Sequence, residues 1–133
     1  MGQQQLLLIV LVTIVVGIAV ASAITLFRQR AIDSKRDLLI NESGNLAMDA
    51  MKYYKKPANL GGGGNSFIGW SIPDILQTTA TGSYSTTAGN YSTTIFKDSV
   101  VIVGTGNEVV NGTDSVKVQV SVFQNTYKTH IIN

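Results

Sequence analysis

The residues of this chain that could do chemistry are few and widely spaced. His130 is the only histidine and there is no cysteine, so a histidine-based metal cluster, a thiolate site, a disulfide and a cysteine nucleophile are all excluded. A catalytic triad would have to draw His130 from a terminal strand. The carboxylates Asp74, Asp98 and Asp114 each fall at an expected turn, where aspartate caps backbone N–H groups, and nothing in the sequence pairs them. Gly104-Thr105-Gly106 follows an apolar run and imitates the opening of a dinucleotide fingerprint. Val109 stands where the third glycine belongs, and a hairpin rather than a helix is expected next, so the reading is a turn. The glycine run at 61–64 could cradle a phosphate, but no Lys-Ser or Lys-Thr pair follows it. No enzyme, metal or cofactor is therefore expected. Asn41, Asn90 and Asn111 begin Asn-x-Ser/Thr triplets. Asn41 sits on an expected helix, which leaves Asn90 and Asn111 as candidate glycosylation sites.

The elements that must position these residues divide the chain of 133 unequally. Residues 6–27 run for about 22 positions without a charge, and a helix of that length rises roughly 33 Å, enough to cross a membrane core. The remainder is too small to bury such a helix in a soluble core. The start is uncharged and the apolar stretch exceeds that of a cleaved secretory signal. Net charge is only +2, with no basic run longer than Lys55-Lys56, so nucleic-acid binding has no electrostatic footprint.

The helix is expected to continue to about residue 55, where Pro57 stops it. In steps of 100°, Leu39, Ile40, Leu46, Ala47, Ala50, Met51, Tyr53 and Tyr54 share one face, and Asp37, Asn41, Glu42, Asn45, Asp49, Lys52, Lys55 and Lys56 the other. Leu38 and Met48 fall on the polar face. They are either ordinary exposed apolar residues or contacts with a neighbouring copy. The organisation read from this is an apolar helix over 1–27, its amphipathic continuation over 28–56, and a β-rich head over 57–133.

In the head, residues 57–66 form a glycine-rich loop. Residues 67–72 read as a short first strand, and residues 74–76 as one helical turn. More than half of residues 78–94 are Ser or Thr, a polar loop with short edge strands or an O-glycosylated segment. Residues 100–103 form an apolar strand ended by Gly104. Residues 115–123 alternate, with Val116, Val118, Val120 and Val122 inward and Lys117, Gln119 and Ser121 outward. Asn111-Gly112 signals a tight turn, and residues 127–132 a last strand. The fold class is α+β, a long N-terminal helix packed on a small antiparallel meander.

An apolar N-terminal helix continuing into an amphipathic half that backs an antiparallel meander resembles the type IV pilins and their pseudopilin relatives. The likeness is architectural over the whole chain and motif-like only over residues 1–27. It implies a pilin-like structural subunit of an extracellular pilus filament with a role such as cell adhesion, its apolar helices bundled as a shaft and its heads tiled outside. Val16 and Gly17 would lie inside that dry bundle, with Ala19, Ala21 and Ala23 allowing close helix approach. In the family a short leader is removed after a glycine, and the fifth mature residue is usually glutamate. With Met1 as the first mature residue Gln5 takes that place, giving a neutral acceptor instead of a charged one; a cut after Gly2 would put Leu7 there. The proline frequent near the middle of the family's span is missing.

The implied partners are further copies of the chain in a helical homopolymer, the cytoplasmic membrane before assembly, and the pilus assembly machinery. Apolar burial would drive shaft packing at about 25 cal/mol per Å², a drive that lipid removes, so extraction needs a motor. Arg28, Arg30, Lys35 and Arg36 follow the span and nothing basic precedes it, an asymmetry that favours a cytoplasmic head. The Ser/Thr/Asn-rich head and a basic leader, if one is removed, favour the outside, which is the expected placement. The rival reading is a monomeric membrane-anchored pseudopilin or accessory binding protein of a secretion system.

Overall fold

The computed structural model describes residues 2–79, 82–85 and 96–133. One helix, α1 (Gly2–Lys55), runs unbroken through 54 residues, about 80 Å at 1.5 Å per residue. A single turn of 3-10 helix (Ala58–Leu60) and a single α-helical turn, α2 (Asp74–Gln77), precede a four-stranded sheet. Its strands are β1 (Gly82–Ser85), β2 (Ser99–Asn111), β3 (Asp114–Phe123) and β4 (Tyr127–Ile131), all antiparallel and adjacent in chain order. The architecture is α+β, a long N-terminal helix against an antiparallel meander.

The glycine run has a packing reason. The last carbonyls of an α-helix have no intrahelical donor. Here the chain doubles back beneath the helix end, so that Gly63 N–H donates to Tyr53 O at 2.8 Å, Asn65 N–H to Tyr54 O at 2.9 Å and Gly64 N–H to Lys56 O at 2.9 Å. So tight a return leaves no room for side chains: a Cβ on Gly62 would overlap Lys56 O, and one on Gly63 would overlap Ser66 O. The run is a helix cap.

Valine alternation on β3 sets the core. Val116, Val118, Val120 and Val122 are fully buried, and the register brings Val100 opposite Val122 and Ile102 opposite Val120. Against this face α1 lays Leu39, Leu46, Ala47, Ala50 and Tyr54, with Ile40, Met51 and Tyr53 half-covered at the margin. Ser43 and Gly44 lie in the same buried stripe, which the apolar pattern alone does not single out. The helix approaches the sheet closely at Gly106, where a Cβ would stand 3.0 Å from Lys35 Cγ and 3.1 Å from Leu39 Cδ1.

Several expectations are corrected. Residues 67–72 are not a strand: Gly69 has φ +92° and Trp70 N–H turns back to Phe67 O at 3.0 Å. The segment instead opens an irregular strap, residues 67–79 with α2 inside it, whose Phe67, Trp70 and Ile72 are buried. Phe67 packs on Tyr54 with ring centroids 4.7 Å apart. The first strand is β1, from within the Ser/Thr-rich stretch. Gly104 does not end a strand, and Gly104-Thr105-Gly106 is not a turn. All three lie inside β2, paired with β1 on one side, and Gly104 and Thr105 with β3 on the other. The turn falls at Gly112, which has φ +55°, the first of two loop residues between paired Asn111 and Asp114. Positive φ at that first position alone matches a type II′ hairpin.

Candidate functional site

The apolar half of α1 is bare. Its most apolar 18-residue window has a mean hydropathy of 3.0 and is 0% buried among the described residues, whereas from Ile32 onward the same helix is packed against the head. The helix is therefore long and apolar enough to cross a membrane. Its threonines are compatible with an apolar surrounding: Thr13 Oγ1 donates to Val10 O at 2.7 Å and Thr25 Oγ1 to Ala21 O at 3.1 Å, so both hydroxyls are satisfied by their own helix.

Gln5, Val16 and Gly17 all lie on this bare half. Gln5 is exposed, Val16 is 53% exposed, and a Cβ on Gly17 would meet nothing within 4 Å. Leu38 and Met48 are exposed on the outward side of the packed half, at 45% and 53%. They are ten residues apart, about 15 Å along the helix, and the fold does not bring them together. Asn111 is exposed beside the hairpin turn. Asn41 is exposed on α1, but Ser43 of its triplet is buried in the core. Asn90 lies outside the described residues.

The first charges after the bare stretch, Arg28 and Arg30, are exposed and make no ion pair among the described residues. Arg36 pairs with Asp33 at 3.0 Å and its Nε donates to Asn133 O at 3.0 Å. The aspartates at expected turns do find partners. Gln77 Nε2 donates to Asp74 at 3.0 Å, Gln124 Nε2 to Asp98 at 3.2 Å, and Lys117 stands 3.8 Å from Asp114. No side-chain cap is made by Pro73 at the N-terminus of α2, where Asp74 sits in the first turn. His130 is exposed on β4, opposite Gln119.

One feature is scarcely visible in the linear pattern. Between α1 and the strap lies a groove of about 560 Å³, floored by Leu46, Met48, Pro73 and Leu76 and edged by Glu42, Asp49 and Lys52. The strap is tied to α1 at both ends of the groove. Trp70 Nε1 donates to Asp49 Oδ2 at 3.4 Å, and Thr79 Oγ1 to Glu42 Oε2 at 2.9 Å. Its one sequence signal was Met48, an apolar residue on the polar face of the helix, which the fold places beside Pro73 and Leu76.

Comparison with protein-family models, with characterised proteins and with solved structures finds no match to this chain.

Proposed function

We propose that this chain is a structural subunit of a type IV pilus-like extracellular filament, inserted in the cytoplasmic membrane before assembly and exposed on the cell surface afterwards. The observation that carries the proposal is the division of α1: one continuous rod whose second half is committed to its own sheet while its first half is apolar and bare of any covering among the described residues. Such a surface needs lipid or other helices around it. Both are met in sequence by a subunit that waits in the membrane and is then drawn into a shaft. Gly17 and the nearby alanines let backbones approach closely there, and Gln5 supplies a neutral hydrogen-bonding group near the start of the bundle.

A monomeric membrane-anchored accessory protein is the second reading, favoured by a head whose core closes within one chain. Shearing cells and imaging the supernatant separates the two. Filaments containing this chain are expected, and Val16→Arg abolishes them by placing a charge in a dry bundle with no acidic residue before Asp33. Normal filaments from Val16→Arg cells overturn the shaft, and a chain found only as single membrane-bound copies overturns the filament altogether.

A further inference from the structure

We infer that the groove between α1 and the strap is the docking site for a second copy of this chain, and that it receives the helical turn at residues 27–30 of that copy. The inference rests on the filament reading above and adds to it a specific contact. Phe27 is 73% exposed at the end of the bare stretch. Arg30 lies three residues on, hence on the same side of the helix. The groove offers the complement. Met48 and Leu76, both substantially exposed, provide an adaptable apolar floor in which a thioether can meet an aromatic ring. Asp49 stands at the edge with no cation in ion-pair range among the described residues. With Glu42 against Lys52, the edge is net acidic, opposite in sign to Arg28 and Arg30.

The rod geometry decides how the contact is made. Phe27 and Met48 lie on one unbroken helix, about 30 Å apart, so a chain cannot fill its own groove. Copies inserted in one membrane share an orientation, which rules out the antiparallel pair that would satisfy both grooves at once. Parallel copies meet only with an axial stagger of about 30 Å. Each then offers a free groove at one end of the contact and a free turn at the other. A contact between unlike surfaces that does not close on itself propagates as a filament.

The absence of cysteine makes the test clean. Phe27→Cys and Met48→Cys are combined in one chain, filaments are sheared from cells, and a short bis-maleimide is added. Because the two positions are too far apart within one copy, every cross-link is between copies. The expected result is a ladder of dimers, trimers and higher species on a denaturing gel, with each single variant remaining monomeric. Filaments that assemble normally yet give no ladder overturn the docking site and leave the filament reading standing. Wild-type cells that yield no filaments overturn both. A charge exchange guards against a double variant that fails to assemble: Asp49→Arg and Arg30→Glu each lower filament yield by roughly tenfold or more, and together they restore it. Failure of the pair to rescue counts against the contact.

Discussion

Val118 offers the sharpest test of how the helix and sheet fit. It is fully buried, paired with Gly104 on one side and Ile131 on the other, in the face that covers α1. Replacing it by aspartate loses about 1.5–3 kcal/mol of apolar burial. The new carboxyl has no partner in that face, and even neutral it costs about 1–3 kcal/mol more. The sum, roughly 3–6 kcal/mol, is comparable with the whole stability of a small domain. Ser121 is the matched control: it lies three residues away on the opposite face of β3, directly across from Lys128. There a new aspartate gains a cross-strand ion pair of about 0.2–1 kcal/mol. Trp70, the sole tryptophan and only 5% exposed, reports on the head by fluorescence, so the full chain can be titrated with urea in detergent. Val118→Asp is expected to leave the head largely unfolded without denaturant, while Ser121→Asp unfolds at or above the wild-type midpoint. Equal midpoints, or the reverse order, refute the register, because a slip of one residue exchanges the two faces.

Three further substitutions probe α1 and its cap by the same titration. Gly44→Ala is expected to stabilise by about 1 kcal/mol through helix propensity, since its Cβ would stand at an ordinary 3.4 Å from Tyr127 Oη; a loss of stability would show a tighter contact with β4. Ser43→Ala is expected to stabilise by about 1 kcal/mol or more, raising the midpoint, because the Ser43 hydroxyl is buried without a hydrogen-bond partner among the described residues. Gly63→Ala is expected to cost about 1–3 kcal/mol, its Cβ running into Ser66 O and standing 2.8 Å from Tyr53 Cε1; an unchanged midpoint would show that the cap has slack.

What could be read from the residues alone was whatever a short-range period encodes. The valine alternation on β3 and the apolar stripe of α1 are repeats of two and of about 3.6, each set by neighbours a few positions away. The errors arose where one residue type answers to two causes. Glycine signals a turn, yet Gly106 lies within a strand because Lys35 and Leu39 cross it there. Conversely the apolar residues at 67–72 suggest a strand, yet Gly69 turns the backbone so that Phe67 and Trp70 can reach the core as separate anchors. β1 carries no apolar alternation, and its Gly82 leaves space against Thr105 O and Gly106; only its neighbour β2 makes it a strand. The exposed residues on α1 were legible as outward-facing. The groove was not, because Met48 and Leu76 are 28 positions apart in the chain, joined only by the fold.

The unbroken passage of α1 from bare half to packed half also has a mechanical meaning. No proline or loop falls at the boundary, so the head continues the segment below it through one helix. From Phe27 to Lys55 the rod extends about 42 Å, a lever that magnifies small rotations at its base. A change of about 10° in the inclination of the lower segment sweeps the far end through roughly 7 Å, close to the spacing between packed helices. As far as the rod stays unbent, tilting the apolar segment therefore carries the sheet with it.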